Sequence, residues 1–424
     1  NSFCTLLGEP MWRAVLCLAV CLTGLAAATV DADNVWSGFG GDASRRSYKN
    51  VSLPQHAVPT LLWNTSGGPF GPVSPMTPVV APSGVLFIHA PSGVNQCNLL
   101  AVNATTGIPI RSVFYWRDLD VPCVTPTLTA DFQHIVIELQ QFQTMTLMAY
   151  RVHADTFDER WTLTLPPGQT VPYGVAVAGQ LIESVAAWGG KNRRLYLPLG
   201  SQMMKAQPIG GNVTQWSPSV NSFGSDVNET LMINATTGGA FAVSGSSGWS
   251  VEVPSVHSAG AVNAYPVSGG SGVVLASTPV PSSNASLFNV SFSAVHSGVN
   301  TSSFAWQYHG LVPRAWSVPM ASEGVNAFFA CNDSLVIVDL PTGAFRGSLP
   351  CPGCLNPPLV VWTHVLAMST DGCAIGFYRW DLSAPAFRAC VPGGGEVPVS
   401  MAIAGDLLLL TTERNAVFAF KLGN

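Results

Sequence analysis

Charge is what this sequence has least of. Only 10% of its 424 residues are Asp, Glu, Lys or Arg, and the formal net charge is -5. The basic residues are scattered, with small clusters only at Arg45-Arg46 and between Lys191 and Arg194. A nucleic-acid surface needs a basic face, and clusters this small read as solvated loops, so nucleic-acid binding is excluded. No long apolar period of 3.6 residues runs anywhere, which excludes a helical protein. No stretch after residue 28 is apolar for long enough to span a bilayer as a helix. Catalytic patterns are missing as well. There is no Gly-x-Ser-x-Gly elbow, and the eight histidines form neither His-x-His nor His-Glu-x-x-His. The carboxylates are too dispersed to nominate a hard-cation site. No catalytic, cofactor-binding or metal-ligating residue is therefore assigned.

What is present is turn chemistry and short β-forming runs. The chain holds 41 Gly and 32 Pro, with 47% hydrophobic residues, a composition that suits many short strands joined by tight turns. The stretch from Gly84 to Gly107 reads as a hairpin, with a polar bend from His89 to Gln96 and a closing turn at Thr106-Gly107. The unit returns from Glu229 to Gly238 and from Ser334 to Gly343. The aromatics Trp63, Trp116, Trp161, Trp216, Trp249, Trp306, Phe345 and Phe387 are expected to end the outer strands of successive units. Their mean spacing of about 46 residues is that of four-stranded propeller blades. The expected fold is an all-β propeller of eight such blades, with seven as the alternative. The C-terminus supplies only three strand-like runs, at 399–404, 407–411 and 416–422. Residues 61–63 are expected to complete that blade by pairing with 416–422, since an open ring would expose two sheet edges.

The first 28 residues read as upstream sequence and a signal peptide. Met11 is followed by Arg13, an apolar run over 14–28 and an Ala26-Ala27-Ala28 cleavage site. Residues 29–59 form a leading segment, and 60–424 the propeller. Sequons at Asn50, Asn64, Asn103, Asn212, Asn228, Asn234, Asn284, Asn300 and Asn332 mark expected glycosylation sites. A tenth, at Asn289, lies within a strand-like apolar run and is the weakest. Seven cysteines follow the signal: Cys97, Cys123, Cys331, Cys351, Cys354, Cys373 and Cys390. In an oxidising lumen they pair and leave one over. Cys373 with Cys390, and Cys97 with Cys123, are candidate pairs. Cys351-Pro-Gly-Cys354 reads as a disulfide, or otherwise as half a metal or redox site with Cys373, Cys390 or His364 as further ligands.

Trp36…Phe39-Gly40-Gly41-Asp42…Arg46 resembles the opening segment of PQQ-like (quinoprotein-type) β-propeller repeat proteins. The hairpins ending in Val-Asn-Ala-Thr-Thr-Gly107 and Val-Asp-Leu-Pro-Thr-Gly343 are similar to that family's Ala-x-Asp-x-x-Thr-Gly repeat. The likeness covers nearly the whole chain after the signal. Asn103 and Asn234 stand where the family has Asp, and the docking Trp expected just after the Gly is missing after Gly107, Gly238 and Gly343. The resemblance implies a propeller. In the family's dehydrogenases it would also imply pyrroloquinoline quinone and calcium at the axis, above an adjacent Cys-Cys pair that this chain lacks. No cofactor is expected. The expected function is a secreted or vacuolar-lumen scaffold, non-catalytic, that binds a protein or glycan partner through its blade-loop faces. The alternative is an enzyme, quinone-dependent or carbohydrate-active, with polar side chains converging on the axis.

Overall fold

The computed structural model describes residues 34–37, 41, 47–65, 77–93, 96–116, 126–128, 287, the strands between 134 and 296, 304–313, 320–414 and 416–423. The described strands form eight sheets, which span 79–116, 127–164, 187–216, 222–252, 267–312, 321–350, 354–390 and 398–423. The first six are antiparallel meanders of four strands taken in chain order. The sheet at 354–390 carries an extra strand, Tyr48–Lys49, paired parallel with Val360 and Val361. The sheet at 398–423 has three strands of its own, Pro398–Ala404, Leu407–Thr412 and Val417–Gly423. Its fourth is Val58–Asn64, which joins antiparallel with Thr60 opposite Lys421 and Leu61 opposite Phe420. The expected pairing of 61–63 with 416–422 is present.

The core lies between sheets. Leu407–Thr412 is buried along its whole length, because it has a sheet packed on each face, and a strand covered on both faces reads as a continuous apolar run. Leu408, Leu410, Phe418 and Phe420 share one cluster with Leu86, Ile88, Leu100 and Val102 of the first sheet and with Leu359, Leu366 and Met368 of the seventh. The last sheet therefore packs on the first as well as on its predecessor. Sheets 321–350 and 354–390 share another cluster around Phe328, Leu335, Val360 and Phe377.

In a sheet of four consecutive strands the first and third turns lie at one end and the second turn at the other; in the last sheet Val58 stands opposite Gly423, at the end that carries the first turn. The third turn carries the repeat seen in the sequence. Asn103 Oδ1 accepts from the backbone N–H of Thr105 (3.0 Å) and Thr106 (3.0 Å), and Gly107 N–H donates to the Asn103 carbonyl (2.8 Å). Asp339 builds the same turn, with its Oδ1 accepting from Thr342 N–H (3.1 Å) and Oγ1 (2.6 Å), and with Gly343 N–H on its carbonyl (2.8 Å). Asn or Asp is needed there because a short side-chain acceptor must fold back onto the turn. Gly is needed because φ is +70° at both Gly107 and Gly343.

The docking tryptophan missing after these glycines is supplied by the preceding outer strand. A Cβ on Gly107 would lie 2.7 Å from Trp63, whose Nε1 donates to the Ala104 carbonyl (2.9 Å). A Cβ on Gly343 would likewise collide with Trp306, whose Nε1 donates to the Leu340 carbonyl (2.6 Å). This corrects three readings of the sequence. Trp306 and Phe345 begin their outer strands, at Trp306–Val312 and Phe345–Pro350, where they meet the turns. The bend at 89–96 is mostly strand, since Val85–Gly93 and Gln96–Asn103 pair almost to their tips. The copy at 229–238 is out of phase, because Thr230–Ile233 is the second strand of its sheet, whereas Asn103 and Asp339 end third strands. Gly238 itself lies outside the described residues.

Asp339 also pairs with Arg346. Its carboxyl is held below the ordinary range, first by the Thr342 hydroxyl and then by Arg346. A depressed folded-state pKa gives stability that is complete above the unfolded value of about 3.9 and is lost as pH falls through the lower folded value. Asp339→Asn, which copies Asn103, should remove that acid-side loss. Urea midpoints measured from about pH 5 to pH 2 should fall less steeply in the variant than in the parent. Parallel curves would contradict this assignment.

Candidate functional site

The place to look first is where the first strands of the sheets face one another. The leading segment occupies it. Trp36 N–H donates to the Val80 carbonyl (2.9 Å) and Val80 N–H donates back to Trp36 (2.9 Å). Leu128 N–H donates to Ser37 (2.8 Å) and Val360 N–H to Ser47 (2.7 Å). Val80, Leu128 and Val360 belong to the first strands of three different sheets. A Cβ added to Gly405, in the turn after another first strand, would collide with the Asn34 side chain. Val35 and Trp36 are each 1% exposed, and Lys49 Nζ stands 5.8 Å from the centre of a Trp36 ring. Backbone groups of the leading segment thus satisfy strand edges that would otherwise need a ligand or water.

This geometry does not fit a quinone with calcium. Such a site needs open space over a vicinal cysteine pair and several converging oxygen donors. Cys351 and Cys354 are bonded to each other, as are Cys373 and Cys390, which face each other across neighbouring strands. Among the described residues, no group of three or more His, Cys, Asp or Glu side chains converges. The metal alternative at Cys351 and Cys354 fails for the same reason. His364 begins its strand, whereas Cys354 pairs with Ser369 at that strand's far end. Cys97 is also disulfide-bonded, and Cys123 lies outside the described residues. Cys331 is a buried free thiol, and burial pushes its pKa up to about 12, so it stays protonated and poorly nucleophilic.

The accessible chemistry lies at the end of the first and third turns. Val58, Ile108, Val325, Phe345, Trp362 and Trp380 are exposed there. The other large exposed apolar side chains, Leu62, Ile110, Phe114 and Leu311, lie along outer strands. Among the described residues none sits at a second turn. Trp362 and Trp380 are the best defined, 50% and 59% exposed. Trp362 ends the run Val360-Val361-Trp362 at a first turn, and Trp380 follows Tyr378-Arg379 at a third turn, so antiparallel pairing brings them together. Their rings meet edge-on at 6.2 Å, and Tyr378 backs Trp380 at 5.3 Å. Arg379 fixes the corner. It pairs with Glu323 of the preceding sheet, donates to the Trp362 carbonyl (3.1 Å) and lies 5.8 Å from a Trp380 ring centre.

His364 supports the corner from below. It is fully buried, with Nδ1 2.9 Å from Thr363 Oγ1 and Nε2 3.3 Å from the Gln55 carbonyl. Burial pulls its pKa below the ordinary value, partly opposed by the Gln55 carbonyl. This is a packed histidine with no open path to a substrate. Asp381 is held low chiefly by the Ser383 hydroxyl and N–H.

Sequence reasoning passed over Trp362 and Trp380. The available signal was that both fall outside the spacing of the outer-strand aromatics and end strand-like runs. Of the sequons, Asn50, Asn64, Asn103, Asn289 and Asn332 are exposed. Asn289 lies within Phe288–His296, and Asn332 shares with Asp333 a two-residue hairpin turn with φ of 50° and 55°. Asn212, Asn228, Asn234, Asn284 and Asn300 lie outside the described residues.

No known family matches the sequence, and no curated protein is similar to it. Solved structures do match. BamB of Moraxella catarrhalis is similar over 86% of this chain and 100% of its own, at 12% identity and a TM-score of 0.52. Sqt1 of Saccharomyces cerevisiae is similar over 88% of this chain and 99% of its own, at 9% identity and a TM-score of 0.51. A europium-containing methanol dehydrogenase aligns over 93% of the chain at 8% identity, but its TM-score of 0.45 carries no argument about function. Identity this low speaks for the fold alone. What these likenesses show is the fold, a β-propeller.

Proposed function

We propose that this protein is a non-catalytic scaffold of the secretory pathway, a closed ring of eight blades that binds a protein partner at the end bearing the first and third turns. The observation that carries the reading is the leading segment, hydrogen-bonded to the first strands of three sheets with Trp36 buried beside them. An axial enzyme would need that space for substrate. The confinement of exposed turn-borne apolar residues to one end supports the choice of face, since exposed apolar patches mark interaction sites. The pairing of Val58–Asn64 with Val417–Gly423 supports closure and the count of eight. The sequons and the Cys351–Cys354 and Cys373–Cys390 pairs support an oxidising, glycosylating compartment.

A photo-crosslinking residue placed at Phe345 or Val325, in cells that secrete the protein, should give one discrete protein adduct. The same residue at Asp371, exposed at a second turn, should give none. Adducts from Asp371 alone, or stoichiometric binding of pyrroloquinoline quinone with calcium by calorimetry, would overturn the proposal.

A further inference from the structure

We propose that the N-glycan of Asn50 lies over the Trp362–Trp380 corner and covers it. The inference rests on the secretory reading and narrows it, because it leaves Val58, Ile108, Val325 and Phe345 as the open part of the binding end. Asn50-Val51-Ser52 is a sequon with Asn50 and Ser52 exposed and Val51 buried. Its backbone is fixed against the corner. The Val51 carbonyl accepts from Trp362 N–H (2.9 Å), Leu53 N–H donates to Thr363 Oγ1 (2.8 Å), and Lys49 pairs with Val361. The acceptor asparagine is therefore held one residue from the backbone contact to Trp362.

The corner suits a neutral sugar. Two indoles at an interplanar angle of 65° offer differently oriented apolar surfaces, and the C–H face of a pyranose ring covers such a surface while its hydroxyls stay in water. Each Å² of apolar surface so covered is worth about 25 cal/mol. Two charged side chains at the corner, Arg379 and Asp381, are already engaged. Arg379 is committed to Glu323 and to the Trp362 carbonyl, and Asp381 accepts from the Ser383 hydroxyl (2.7 Å) and N–H (3.2 Å). A charged partner would have to break these contacts, whereas a neutral glycan leaves them in place. A covering glycan also accounts for two large indoles standing half-exposed on a secreted protein.

The test uses full-length protein secreted from a eukaryotic host. Glycopeptide mass spectrometry should find Asn50 occupied. Hydroxyl-radical footprinting should show oxidation of Trp362 and Trp380 rising several-fold in Ser52→Ala, which removes the sequon and keeps the asparagine. Thr105→Ala, which removes the Asn103 sequon, should leave both rates unchanged. Peptide-N-glycosidase treatment of the folded protein should reproduce the Ser52→Ala result if that variant fails to fold. An unoccupied Asn50 beside occupied sequons elsewhere, or an occupied Asn50 whose removal changes neither rate, would overturn the inference and leave the secretory reading standing. No glycan at any sequon would sink both.

Discussion

Deleting residues 1–64 should abolish cooperative unfolding and leave an aggregation-prone product. The deletion removes Val58–Asn64, which pairs with the outer edge of Val417–Gly423. Backbone ladder and packing are lost together, because Leu61 and Trp63 pack on the cluster that holds Phe418 and Phe420. Leu and Trp truncations in such positions cost about 2–5 kcal/mol each, against a total domain stability of about 5–15 kcal/mol. The exposed edge left behind is a template for intermolecular pairing. A milder experiment tests the pairing without unfolding the protein. Thr60 and Lys421 are both exposed and face each other in register, where Cα atoms lie about 4.5–5.5 Å apart, within disulfide range. The double variant Thr60→Cys/Lys421→Cys should cross-link spontaneously. Thr60→Cys with Asp406→Cys, outside that register, should not. Failure of the first pair in a folded protein would place the N-terminal strand elsewhere.

The second large effect concerns the contact between Trp306 and Gly343. Trp306→Ala should lower stability by about 3–5 kcal/mol, since a nearly buried indole leaves a cavity where two sheets meet. Trp306→Phe should cost less, about 1 kcal/mol for the hydrogen bond to Leu340 plus the lost area. Gly343→Ala adds a Cβ to a residue at φ +70° and drives it into the indole, so the strain of about 1–2 kcal/mol for a left-handed residue is a lower limit. Once Trp306 is gone the collision is gone as well. The double variant should therefore be clearly more stable than the sum of the two losses predicts. Additive losses in urea titrations would mean that the turn is held by something other than the indole.

Much of this was legible in the chain. The repeat ending in Thr-Gly107 and Thr-Gly343 marks a turn because only Gly tolerates the left-handed backbone beside a packed ring. The three C-terminal runs implied a missing fourth strand because a blade edge must be paired, and 61–63 supplies it. The docking of Trp63 and Trp306 was not legible. Each indole reaches a glycine 44 or 37 residues further on, so a search just after the glycine finds nothing. The corner of Trp362 and Trp380 was hidden for a related reason. Counting aromatics at blade spacing selects those that pack between sheets, and these two sit on turns. Nor does any residue pattern announce that Trp36, Ser37 and Ser47 hydrogen-bond to the first strands of three sheets, because such contacts are made by backbone groups that every residue carries.

We propose that the leading segment fills the space beside the first strands and that the protein binds its partner from one end. Native-state hydrogen exchange tests it most directly, because it reads the backbone bonds of the leading segment one by one. The amides of Trp36, Val80, Val360 and Trp362, which bond to or within that segment, should exchange as slowly as those of Leu408 and Leu409 in the buried strand of the last sheet. Addition of pyrroloquinoline quinone and calcium should leave those rates unchanged. Exchange of Trp36 and Val360 amides within seconds, or their protection only when the quinone is added, would show a centre open to a ligand and contradict the account.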